Sequence, residues 1–154
     1  MVLSFKKERP RDIHLAVGIA EIPGSLDYYI MSTPTLNTFE KAEAHRYETL
    51  GYPIKKIEKI KVTTVSNIIH TYCDNKFPDL LSLDTEGTDL AILKSIQWEK
   101  TSPKVICVET IEFSPDYKGI KRTDIIEYVK SVGYEIYADT YINTIFINKK
   151  IMGK

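Results

Sequence analysis

The second half of the chain carries one pattern twice: a short apolar run that stops at an acid, followed by an amphipathic stretch. Asp79-Leu80-Leu81-Ser82-Leu83-Asp84 leads into a helix predicted over Thr88 to Ile96, with Leu90, Leu93 and Ile96 inward. Val105-Ile106-Cys107-Val108 stops at Glu109 and suits a parallel strand buried on both faces. The spacing then predicts a helix over Thr123 to Val132, with Ile125, Ile126 and Val129 inward and Gly133 as its stop. Two further strands, Tyr134–Tyr137 and Ile142–Ile147, lie close enough in sequence to pair antiparallel. Strand, helix, strand, helix, strand in that order restricts the chain to an α/β sheet with crossover connections.

The first half is less regular. Ile13, Leu15, Val17 and Ile19 share one face of a predicted strand, and Leu26–Met31 reads as a second. Pro23-Gly24-Ser25 lies between them, so a hairpin is expected over 13–31. A helix is expected from Thr38 through Leu50, with Phe39, Ala42, Tyr47 and Leu50 near one face, ended by Gly51-Tyr52-Pro53. Lys55 to Lys61 reads as a basic stretch entering a short strand, Lys61–Thr64. Ser66 is placed to cap a helix running to Tyr72, with Ile68 and Ile69 inward.

With 154 residues, a single domain over 1–154 is expected. The 21 basic and 21 acidic side chains cancel, which argues against a general nucleic-acid or membrane-surface binder. No apolar run is long enough for a transmembrane helix, and the N-terminal residues do not read as a signal peptide. Cys73 and Cys107 read as two reduced thiols of a cytoplasmic protein. His14, His45 and His70 lie far apart without metal-ligand spacing, so no histidine or cysteine metal site is expected. No Ser-His-Asp order with an elbow turn occurs, which sets a hydrolase aside. The lysine-rich stretches read as solvated faces, with phosphate recognition as the functional alternative. Trp98 and the strand tyrosines read as packing residues, with Tyr141 near the hairpin tip as a candidate substrate contact.

The chemistry concentrates where the two apolar runs stop. Ligands of open α/β sheets bind beyond the carboxyl ends of the strands. If the two strands are neighbours, Asp84, Glu86 and Glu109 meet at one rim. Carboxylates crowded at a partly buried rim need a cation, a shared proton or a substrate donor. The alternative is structural: Asp84, Thr85 or Glu86 caps the following helix and complements its dipole.

The segment Asp79 to Ile96, with its aliphatic strand, Asp84-Thr85-Glu86-Gly87, Asp89 two residues on and Leu93-Lys94, resembles the hallmark of the FkbM-type methyltransferases. Pro103–Glu109 is similar to that family's next strand, and Gly133-Tyr134 with Asn143–Phe146 to its closing hairpin. Arg9–Ile13 and Leu36–Phe39 also resemble segments of one branch, so the likeness covers nearly the whole chain. The resemblance implies a Rossmann-like class I methyltransferase sheet with a closing antiparallel hairpin. It implies S-adenosylmethionine as cofactor and O-methylation of a hydroxyl on a sugar or natural product. By family position, Asp84 and Glu86 face the acceptor and methyl region and Glu109 lines the same rim; Asp84 is then expected as base or metal ligand, with Glu86 orienting.

The family's glycine-containing cofactor loop has no counterpart here: no G-x-G pattern occurs, and Gly18 lies within a predicted strand. The chain therefore reads as a partial domain lacking the family's first two strands, and no cofactor-binding residue is assigned. Without them the Leu80–Asp84 strand presents an unpaired edge, which invites pairing in trans. Its partners would be a small-molecule hydroxyl acceptor and either a second copy of the chain or a complementing N-terminal chain. A truncated enzyme is the leading expectation. The alternatives are an inactive remnant and an interaction or complementing subunit.

Overall fold

A computed structural model of the protein describes residues 2–116 and 118–152. Helix α1 spans Val2–Glu8, and the first strand, β1, covers only Gly18–Ile19. Strand β2 (Gly24–Met31), helix α2 (Lys41–Thr49), strand β3 (Ile54–Thr63) and helix α3 (Val65–Tyr72) follow. These strands form one sheet in the order β1-β3-β2, with β1 parallel to β3 and β2 antiparallel to it.

The hairpin expected over 13–31 does not form, and most of the first expected strand is not extended sheet. The partner of β2 is β3, in a ladder running from Gly24↔Val62 to Met31↔Ile54. Gly24 is thus inside a strand rather than at a hairpin tip. A long antiparallel ladder satisfies far more backbone than a short local hairpin does. The strand expected at Lys61 begins seven residues earlier, at Ile54. Its lysines are exposed, Lys59 pairing with Asp27 at 2.8 Å and Lys56 with Glu58.

Helix α2 starts at Lys41 rather than Thr38. Thr38 is fully buried and extended, its backbone paired both ways with Tyr29. Glu40 caps the helix instead, accepting from the Ala42 amide at 3.1 Å. The buried face is Ala44 and Tyr47, packed with Tyr29, Met31 and Leu36, whereas Ala42 and Leu50 are exposed. Helix α3 is capped by Thr64, whose hydroxyl accepts from the Asn67 amide at 3.1 Å, and not by Ser66.

The second half follows its alternation closely. Strand β4 (Leu80–Leu83), helix α4 (Asp89–Lys94), strand β5 (Val105–Glu109), helix α5 (Thr123–Ser131), strands β6 (Tyr134–Asp139) and β7 (Asn143–Asn148) and a short helix α6 (Lys149–Met152) complete the chain. The second sheet has the order β4-β5-β7-β6. Strands β4 and β5 are parallel, Leu80 opposite Val105, and the closing β6–β7 hairpin is antiparallel as expected. Ile106, Val108 and Phe146 are fully buried in one core with Ile69 of α3, Ile92 and Leu93 of α4 and Ile125 and Val129 of α5. Trp98 is a packing residue, donating to the Leu93 carbonyl at 3.1 Å and lying edge-on to Tyr134. The two thiols are unpaired.

The chain is therefore α/β with two mixed sheets. Among the described residues no strand pair joins them, and β4 is the edge of the second sheet, with Leu80 56% exposed. No helix among the described residues is long and apolar enough to cross a membrane.

Candidate active site

The parallel register places Leu83 opposite Val108, so the residues after them, Asp84 and Glu109, stand side by side at the carboxyl ends of β4 and β5. The chain then turns sharply. Glu86 sits at φ +49° and Gly87 at φ +104°, the left-handed region that a side-chain-bearing residue such as Glu86 enters only when its surroundings hold it there. Two contacts from the first half do so. The buried Thr38 hydroxyl donates to the Glu86 carbonyl at 2.6 Å, and the Tyr47 hydroxyl donates to the Glu86 carboxylate at 3.0 Å. Gly87 leaves room for Glu43, whose Cγ would lie 2.8 Å from any added Cβ.

The expected rim exists. Asp84, Glu86 and Glu109 each bring a carboxylate oxygen to within 4.8 Å of the other two. The capping alternative is not met: the cap position of α4 is Thr88, and Asp89 accepts from the Thr85 amide at 3.1 Å. None of Asp84, Thr85 or Glu86 is used as a cap. Asp89, only 5% exposed, adds a fourth acid beneath the turn.

Crowding and burial show in the proton affinities. Burial, with Asp84, Asp89 and Glu43 nearby, pushes Glu86 up to about 7, although the Tyr47 hydrogen bond pulls it back. Burial and the charges of Asp84, Glu86 and Asp89 push Glu109 up to about 7 as well. Burial and the neighbouring carboxylates raise Tyr47, so its hydroxyl stays a donor. Two carboxyls poised near neutrality can give and take protons at physiological pH.

The nearby arginines do not neutralise these acids. Arg46 spends its guanidinium on Glu43, at 2.8 and 3.0 Å, and on the Phe113 carbonyl. Arg122 grips Asp124 at 2.8 and 3.0 Å. The pocket enclosed by Glu43, Arg46, Tyr47, Glu86, Asp89 and Glu109 measures about 30 Å³, room for a water or two. On the other side of the turn, Val17, Gly18, Tyr28, Phe39, Asp84 and Glu86 line an open groove of about 230 Å³. The three clustered oxygens suit one hard cation, a shared proton or a donor from substrate.

Thr38, Glu43, Tyr47 and Asp89 belong to the site although spacing gave no reason to select the first three. Those three arrive from α2 and the loop before it, dozens of residues away in sequence. Asp89 carried a signal as part of the Asp-x-Glu-Gly segment.

Mixed α/β sheets with an acid rim at the ends of parallel strands suit a methyltransferase-like chain. A comparison with protein families matches residues 3–136 to the methyltransferase FkbM domain. The chain belongs to the FkbM methyltransferase family. No curated protein and no solved structure matches it.

Proposed function

We propose that the protein takes part in S-adenosylmethionine-dependent O-methylation of a hydroxyl on a sugar or natural product, in the cytoplasm. The observation that carries this reading is the convergence of Asp84, Glu86 and Glu109 within 4.8 Å at the ends of parallel strands, in a chain of the FkbM family. When bound, S-adenosylmethionine supplies an electrophilic methyl on a sulfonium. Asp84, the exposed member, is open to an incoming hydroxyl and takes its proton. Glu86, pinned by Tyr47 and Thr38, orients that hydroxyl, and Glu109 closes the rim behind it.

The groove beside the turn fits the charged end of the cofactor. Carboxylates of Asp84 and Glu86 and the rings of Tyr28 and Phe39 all attract a cation. Its nucleotide end finds no glycine cradle in that groove. A Cβ on Gly18 would meet Phe39 at 2.5 Å, so that backbone is already covered by the protein's own side chain. In our reading the two sheets belong to a Rossmann-like class I arrangement. The strands and turn that hold the nucleotide pair with the free edge of β4, from a second copy of the chain or from a complementing N-terminal chain. The uncovered edge equally supports the second reading, a non-catalytic complementing subunit.

Titration calorimetry with S-adenosylmethionine, after the mass in solution is measured, tests the proposal. Micromolar binding with transfer of labelled methyl to a hydroxyl compound is the expected result. No heat from a folded chain would move the activity to an assembly with another chain, and no transfer by that assembly would sink it.

A further inference from the structure

A second cavity opens beside Glu109, between residues 110–114 with 119–122 on one side and the tip of the β6–β7 hairpin on the other. Both ends of the first wall are tied to that tip: the Thr110 amide donates to the Ile142 carbonyl at 2.9 Å, and Lys121 Nζ to Asp139 at 2.9 Å and to the Tyr141 carbonyl at 2.8 Å. The cleft between them measures about 130 Å³. Ile111, Phe113, Gly119 and Ile142 line it, and Glu109 and Glu112 stand at its polar end. Its walls are set before any ligand arrives. Phe113 is held edge-on by Tyr47 at 5.4 Å and by Tyr52 at 5.7 Å. A Cβ on Gly119 would lie 1.8 Å from the Glu112 carbonyl oxygen, so the loop closes on itself only with glycine there.

We propose that this cleft is the acceptor's apolar subsite, and that the acceptor is a hydroxyl carried on a ring-sized hydrophobic body. Volume decides which cavity takes which part. The acid pocket, about 30 Å³, holds water and nothing larger. The cleft, at about 130 Å³, is close to the roughly 150 Å³ that admits a benzene ring in an engineered apolar cavity. Glu109 lines both, so a body seated against Ile111, Phe113 and Ile142 presents its hydroxyl to the acid rim. Glu109 and Glu112 in the lining disfavour an anionic acceptor. A bare sugar has little apolar surface to set against three hydrophobic walls. Within the methyl-transfer reading, on which this inference rests for its chemistry, the acceptor is thus an apolar natural product rather than a free sugar.

The test needs no cofactor. The chain is labelled at isoleucine δ-methyls and titrated separately with benzyl alcohol, methyl glucoside and benzoate, and the methyl resonances are followed by NMR. Benzyl alcohol at millimolar concentration is expected to move the methyls of Ile111 and Ile142 and to leave Ile13 and Ile22 in place. Methyl glucoside and benzoate are expected to move none of them. Ile142→Ser, at a partly exposed tip position, is expected to weaken benzyl alcohol binding about fivefold. Ile111→Val, the gentler change, should weaken it about twofold should the first variant fold poorly. Ile120→Ser, outside the lining, should leave it unchanged. No shift at Ile111 and Ile142, or equal shifts with methyl glucoside, overturns the proposal. Binding of benzyl alcohol by a chain that never transfers methyl would keep the subsite and remove the reaction instead.

Discussion

The Tyr47 hydroxyl reaches across 39 residues of sequence to donate to the Glu86 carboxylate at 3.0 Å. Tyr47 lies on α2 in the first half, and Glu86 lies in the turn after β4 in the second. This bond, with Thr38 on the Glu86 carbonyl, is how the smaller sheet's layer takes hold of the acid rim.

Replacing Tyr47 by Phe removes the donor and leaves the half-buried carboxylate unanswered. The hydrogen bond is what pulls Glu86 back toward the ordinary carboxylate range, so its pKa is expected to rise above about 7 in the variant. Stability should fall by about 1 kcal/mol, the usual net worth of such a bond. Carboxyl ¹³C NMR titration reads the first change and chemical denaturation the second. An unmoved Glu86 titration would show that the bond does not govern it.

Both Glu86 and Glu109 bind protons more tightly folded, near 7, than at their ordinary value of 4.5. Between those values the folded chain holds more protons than the unfolded one, so stability declines as pH rises from about 4.5 through 7. The contribution is fully present below 4.5 and gone above 7. Glu109→Gln, which removes a charge at constant shape, is expected to raise stability at pH 8 by about 1 kcal/mol after allowance for partial exposure. At pH 4.5 the variant and the parent should melt together. Thermal melts across this range check the sign.

Gly87→Ala forces a side chain into φ +104° and against Glu43 at 2.8 Å. A loss of about 1–3 kcal/mol is expected, together with displacement of Glu86. Denaturant titration measures the first, and a shift of the Thr38 and Tyr47 resonances reports the second.

Asp84→Asn tests the assigned base. Asp84 is exposed at the rim, so the substitution should leave the fold intact. Methyl transfer should drop about 10²–10⁴-fold, the range of a lost general base. Full turnover by the variant would give the role to Glu109, and the Glu109→Gln enzyme would then be the one to stall.

The order β4, α4, β5, α5 and the closing hairpin were legible because each rests on local periodicity. An apolar run such as Val105–Val108 needs no partner to declare itself, and Thr123–Ser131 shows its inward face in Ile125 and Val129. The first half was harder because pairing there is non-local. Strand β2 follows β1 in sequence but pairs with β3, and the exposed lysines of β3 masked a ten-residue strand. Thr38 looked like a helix start and is instead a buried strand bridge with its hydroxyl on Glu86.

The sequence by itself determined the α/β alternation of the second half, the family, and the three acids that stand where two strands stop. Each of these is written within a short stretch of chain. Only the tertiary structure decided that no acid is spent on capping α4, that Tyr47 and Thr38 hold Glu86 in a left-handed turn, and that two of the acids lie near neutrality. A proton affinity depends on burial and on charges a few ångströms away, and those neighbours come from segments that meet only when the chain folds.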